Sequence, residues 1–108
     1  MILAHRPLFL CQAAVSMRKS FEGLCAIVEA LFPGELLSGA CFIFLNRSKD
    51  HMKVLYWDGD GFAIWYKRLE KGTFSWQGGV ERIDRRTFLM LLEGVTPKRL
   101  QTRFSLSQ

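Results

Sequence analysis

The feature that most constrains this chain is Asp58-Gly59-Asp60-Gly61, four small turn formers set between two apolar runs. Glycine supplies the positive φ that a tight reversal needs, and aspartate suits the positions beside it. The run before it, residues 52–57 (MKVLYW), alternates enough to be a strand. The run after it, residues 62–68 (FAIWYKR), reads as the next strand. Strands joined by so short a reversal lie side by side and antiparallel.

Other segments extend the pattern. Residues 41–45 (CFIFL) are apolar throughout, as a central buried strand would be, and residues 46–50 (NRSKD) form a polar turn. Residues 6–12 read as a short first strand, residues 73–76 continue the sheet after Lys71-Gly72, and residues 80–83 add an edge strand after Gly78-Gly79. Between the first two strands, Phe21, Leu24, Cys25, Val28, Leu31 and Phe32 recur at helical intervals. That spacing predicts a helix over residues 17–31, capped by Ser16 and stopped by Pro33-Gly34. Asp84 caps a second helix over residues 85–92, with Gly94 and Pro97 after its end. The expected fold is α+β: an antiparallel β-meander of four to six strands packed by an N-terminal helix, with a second short helix near the C-terminus docked at an end or on a partner. Residues 1–108 make a single domain, with an ordered core over about residues 6–94 and a polar basic tail over residues 98–108.

Composition narrows the function. The chain is 49% hydrophobic and 23% charged, so it is globular rather than disordered. No stretch is long and apolar enough to span a membrane, and residues 1–10 lack a secretory pattern, so a cytoplasmic location is expected. Cys11, Cys25 and Cys41 are odd in number and widely spaced, which suits free thiols packed as small hydrophobes. Fifteen Lys and Arg against ten Asp and Glu give a net charge of +5, which favours a polyanionic partner.

The cations fall into groups. Arg18-Lys19 opens the first expected helix and Arg85-Arg86 the second. Basic side chains beside free helix N–H groups attract phosphate. Arg47, Lys49, Lys53, Lys67, Arg68 and Lys71 lie in the sheet region, interleaved with Tyr56, Trp57, Trp65, Tyr66, Phe74 and Trp76. Such a mixture suits a nucleic-acid strand, although most of these rings are needed in the core. The nucleic-acid-binding candidates are therefore Arg18, Lys19, Arg47, Lys53, Lys67, Arg68, Arg85 and Arg86. The second helix carries five consecutive apolar residues, 88–92, more than one core stripe uses, which makes Phe88, Leu89 and Leu92 partner-binding candidates.

Catalysis finds no pattern. His5 and His51 have no zinc spacing with each other or with the cysteines. Counted from Asp58 as a calcium loop, the twelfth position is Leu69, and Glu70 misses it by one. Asp58, Asp60, Glu81, Asp84 and Glu93 show no spacing that would converge on two metals. No catalytic residue, metal or cofactor is expected.

The blocks Phe42-Ile43-Phe44-Leu45-Asn46-Arg47, Lys53-Val54-Leu55-Tyr56-Trp57-Asp58-Gly59-Asp60-Gly61-Phe62 and Tyr66-Lys67-Arg68-Leu69-Glu70-Lys71-Gly72-Thr73-Phe74 resemble the TnpB accessory proteins of the insertion sequence 66 family. Upstream, residues 17–24 resemble that family's helix start, and residues 91–94 its C-terminal helix; the likeness runs in order over about residues 6–94. This is not the RNA-guided nuclease that shares the TnpB label. The resemblance implies a bacterial mobile-element protein, encoded beside a separate transposase and associated with transposition. It brings no catalytic residue with it. The partners it implies are the element-encoded transposase and DNA, and a second copy of the chain is a further partner the reading admits. The alternative to DNA contact is a module that binds only the transposase or itself.

Overall fold

The computed structural model describes residues 5–74 and 82–92. Five strands form one sheet in the order β4-β3-β2-β1-β5, where β1 is Leu8–Leu10, β2 Cys41–Leu45, β3 His51–Trp57, β4 Phe62–Arg68 and β5 Arg82–Ile83. Helix α1 (Phe21–Leu31) lies between β1 and β2 in the chain, and α2 (Arg85–Leu92) follows β5.

The fold is α+β, but the sheet is mixed rather than an antiparallel meander. β1 pairs with β2 in parallel, Leu8 beside Cys41 and Leu10 beside Ile43. A parallel neighbour requires a crossover, and α1 supplies it. From β2 onward the expected meander holds: β2–β3 and β3–β4 are antiparallel, with Trp57 beside Phe62 at the tight turn. There Gly59 takes φ +88°, the conformation that demands glycine. The expected edge strand at residues 80–83 is the short β5, which adds antiparallel to the outer side of β1. Thr73 and Phe74 are not in a strand; the Phe74 amide donates to the Lys49 carbonyl at 2.6 Å and its ring is buried. Trp76, Gly78-Gly79, Val80, Glu81, Glu93, Gly94, Pro97 and the tail over residues 98–108 lie outside the described residues.

β2 is buried along its whole length because both faces of the sheet are covered. Alternation sends Phe42 and Phe44 to one face, where they meet Leu24 and Val28 of α1 with Leu55, Cys11 and Val15. On that face Phe9, Phe32 and Phe42 cluster with centroids 5.1 to 5.7 Å apart, Phe9 stacked on Phe42 and Phe32 tilted to both. Cys41, Ile43 and Leu45 face the other way and meet Leu8, Leu10, Val54 and Phe74 with Phe88, Leu91 and Leu92 of α2. Helix α2 therefore covers the second face of its own sheet rather than docking at an end or on a partner. Full burial of a side chain such as Phe88 stabilises by about 1.5–3 kcal/mol, so the wide apolar run is largely used internally. Cys11, Cys25 and Cys41 form no disulfide, and burial pushes the Cys41 thiol up to about 11.

Helix α1 begins four residues later than the spacing predicts. The Ser16 hydroxyl accepts the Arg18 amide at 3.2 Å, and the Ser16 carbonyl accepts the Lys19 amide at 3.2 Å, closing a separate turn. The Lys53 amine then takes the carbonyls of Met17 (2.9 Å) and Lys19 (2.8 Å), which a longer helix would need for its own ladder. Ser20 stands at the N-cap position, with no side-chain capping bond.

Candidate nucleic-acid interface

Three reversals meet at one end of the sheet. The turn over residues 46–50 joins β2 to β3, the bend after β4 returns beside it, and the turn over residues 16–19 leads into α1. The Leu69 amide donates to Asp50 and the Phe74 amide to Lys49, which ties the bend to the turn. The Val15 amide donates to Leu45, which ties the third segment to the same end. This topology gathers Arg18, Lys19, Arg47, Lys49, Arg68 and Lys71, all exposed, at one end of the molecule.

The 46–50 turn is built by its own side chains. Asn46 Oδ1 accepts the amides of Asp50 and His51, both at 3.0 Å, and Asn46 Nδ2 donates to Asp50 Oδ1 at 2.7 Å. His51 Nδ1 lies 2.8 Å from the same carboxylate, a contact that needs the proton on Nδ1. The hydrogen bonds from Asn46 and then His51 hold the Asp50 carboxyl below its ordinary range. Lys49 accepts φ +58° so that the turn can close. The acid of this turn is thus engaged within it, and Arg47 and Lys49 are exposed.

Lys53 and Tyr66 sit opposite each other on β3 and β4. The Lys53 amine lies 5.1 Å from the centroid of the Tyr66 ring. That ring remains 52% exposed, and the His51 ring lies 5.9 Å from it. The Met17 and Lys19 carbonyls orient the Lys53 amine without cancelling its charge. Arg68 meets Glu70 at 3.0 Å, but both are well exposed, so the pair is worth little.

Strand alternation separates Lys67 from Arg68. Arg68 lies on the α1 face with Tyr66. Lys67 lies on the α2 face, where its amine takes the Leu92 carbonyl at 2.9 Å and so engages the last turn of α2. Arg85 and Arg86 are exposed at the start of α2, at the opposite end of the molecule. The eight candidates therefore do not share one surface. Arg18, Lys19, Arg47, Lys53, Lys67 and Arg68 come to one end, Lys53 and Lys67 with their amines engaged by carbonyls, and Arg85 and Arg86 stand apart. Of the three partner-binding candidates, Phe88 and Leu92 are buried and only Leu89 is partly exposed.

The opposite end carries cations that the sequence did not single out. Arg6 and Arg82 join Arg85 around a shallow cleft of about 520 Å³ between β1, β5 and the start of α2. Acids temper this region. Arg6 reaches Asp58 at 3.4 Å, and Asp84 caps α2 by accepting the Thr87 amide at 2.8 Å. Those Thr87 hydrogen bonds lower the Asp84 carboxyl. Arg6 precedes Pro7 at the start of β1, a position with no pattern to mark it. Among the described residues, no three His, Cys, Asp or Glu are gathered to hold a metal, and no helix is long and apolar enough to cross a membrane.

Fold and surface define a small mixed-sheet protein covered by a helix on each face, with its cations concentrated at one end. Residues 6–102 match the IS66 Orf2 like protein family, TnpB_IS66, and the chain belongs to that family. Membership implies an accessory role in insertion-sequence transposition and association with an IS66 transposase. Two relatives come from Sinorhizobium fredii (strain NBRC 101917 / NGR234). The chain is 34% identical over 82 residues to "Uncharacterized protein y4hO", covering 73% of this chain and 71% of the relative. It is 27% identical over 92 residues to "Uncharacterized protein y4jC", covering 82% and 79%. No solved structure matches.

Proposed function

We propose that this protein is a non-catalytic transposition factor that holds DNA by its phosphates at the basic end of the sheet and assists a separate transposase there. One observation carries the reading: three reversals bring Arg18, Lys19, Arg47, Lys49, Arg68 and Lys71 together, against the acids Glu22, Asp50 and Glu70. Asp50 is engaged inside its turn, and the six cations outnumber the three acids, so the outward field is positive. Exposed Arg and Lys at chain reversals reach phosphates and carry no base readout, so binding is salt-sensitive and only weakly sequence-selective. Tyr66, exposed among these charges, offers a ring to a base or sugar.

The test is a titration of a labelled duplex bearing an element end, and of a shuffled duplex of equal length, at two salt concentrations. Affinity is expected to fall steeply with salt and to differ little between the duplexes. Arg18→Glu/Arg47→Glu is expected to weaken binding at least tenfold. Arg85→Glu/Arg86→Glu, the same change in net charge at the other end, is expected to weaken it much less. Equal losses would reduce the effect to bulk charge and end the reading, as would no binding at low salt by folded protein. The duplex is expected to stay intact with magnesium present.

A further inference from the structure

β4 is the outer strand of the sheet, and among the described residues nothing pairs with its far side. The ladder shows which groups lie there. The Asp58 amide donates to Gly61 and the Leu69 amide to Asp50, both at 2.8 Å, so 58 with 61 and 50 with 69 are hydrogen-bonded pairs. Alternation then turns the N–H and C=O of Ala63, Trp65 and Lys67 toward β3, and those of Phe62, Ile64, Tyr66 and Arg68 outward. Seven residues without proline or bulge, mostly apolar, form an edge of the kind that soluble proteins cover or use.

We propose that this edge is a homodimer interface, in which β4 pairs antiparallel with β4 of a second copy about a two-fold axis at Ile64. Self-complementarity selects this occupant and this register. With Ile64 on the axis, Phe62 of each copy lies opposite Tyr66 of the other, an aromatic cross-strand pair on the α1 face. On the α2 face, Ala63 lies opposite Trp65, small against large. Asp60 of each turn comes alongside Arg68 of the other copy, so two opposite-charge contacts close the ends. Moving the axis so that residues 62–68 overlap fully would set Asp60 against Glu70 twice, and like charges face to face are unfavourable. A strand that carries its acid before it and its base at its end is matched by its own two-fold mate, as an isologous interface requires. The interface stands independently of the DNA reading. Together they place two basic ends at opposite ends of one continuous sheet.

The test is the oligomeric state of the full chain by sedimentation equilibrium over a range of concentrations. A reversible dimer is expected. Ile64→Pro removes an outward N–H without touching the β3 ladder, so a folded monomer is expected. Because that variant is a strong perturbation, charge exchange supplies the second arm. Asp60→Lys and Arg68→Asp, each alone, are expected to raise the dimer dissociation constant at least tenfold, and the double variant to restore it. The wild-type chain remaining monomeric at every concentration would overturn the proposal. A dimer indifferent to Ile64→Pro and to both charge changes would also overturn it, by placing the contact elsewhere. A monomer whose Phe62, Ile64 and Tyr66 amides exchange slowly would show the edge covered within the chain, and would overturn it too.

Discussion

The two ends of the sheet use the same device for different purposes. At one end, Lys53 donates to the carbonyls of Met17 and Lys19 and lies over the Tyr66 ring. At the other, Arg6 donates to the carbonyls of Gly39 (3.0 Å) and Trp57 (2.9 Å) and lies 5.0 Å from the centre of the Tyr56 ring. Each cation ties a connecting segment to the sheet. Arg6 also meets Asp58, and the turn beyond it is acidic, so its charge is locally answered. Lys53 meets neutral carbonyls and a ring, and the exposed cations Arg18 and Lys19 belong to the same turn as those carbonyls. One clamp is closed electrostatically and the other is left positive. A cation placed for structure can thus still contribute to a surface field, provided that neutral acceptors hold it.

Removing each clamp sharpens the contrast. Arg6→Ala is expected to cost about 2–3 kcal/mol, since a charged donor to a carbonyl is worth about 1.5–3 kcal/mol, these carbonyls are part-buried, and the ring contact adds to it. Urea unfolding would measure it, and a loss below half a kilocalorie would break the comparison. Lys53→Met keeps the stem and removes the amine, with an expected cost of about 2 kcal/mol by the same principle. This variant should also weaken DNA binding severalfold by freeing the turn over residues 16–19, whereas Arg6→Ala should leave binding nearly unchanged. Asn46→Ala is expected to cost about 1–2 kcal/mol, because two backbone amides lose their acceptor where solvent partly compensates. It should act on the basic end alone, seen as faster amide exchange at Asp50 and His51.

The smallest effect is with pH. Asp50 titrates below its ordinary value of 3.8 in the folded protein. Its contribution to stability is therefore complete above that value and lost as pH falls through the lowered one. Asp84 behaves in the same way at the other end, through Thr87. Carboxyl titration by NMR should show both midpoints below 3.8. Asn46→Ala should raise that of Asp50 and leave Asp84 alone. A common shift of both would mean that the two ends are electrostatically coupled.

Much of this architecture was legible from local pattern. The all-apolar run at residues 41–45, the strand after the turn at residues 62–68 and the helix over residues 85–92 have in the sequence the bounds that the structure shows. In each, the side chains repeat at the period of the element or turn residues bracket it. Misreadings came where long-range partners decide. The lead-in to α1 contains good helix formers, yet Lys53, far along the chain, takes its carbonyls. The first strand looked like part of a meander, and nothing in Leu8-Phe9-Leu10 says whether its neighbour runs parallel. The wide apolar face of α2 looked available to a partner, because its counterpart is the back of β2, contributed by Cys41, Ile43 and Leu45.

The candidate site divides in the same way. Sequence names the cations and their turns. Strand alternation separates Lys67 from Arg68, but which of them shares a face with α1 depends on the strand's place in the sheet. Nor does sequence say that residues 16–19, 46–50 and 69–74 share one end. The amino-acid order by itself settled the reversals, most strand and helix spans, the excess of positive charge and, through its blocks, the family. The tertiary structure alone decided the parallel pairing of β1, the placing of α2 and which cations stand together. Periodicity and turn chemistry act over a few residues, whereas these outcomes depend on which distant backbone groups and apolar faces find one another.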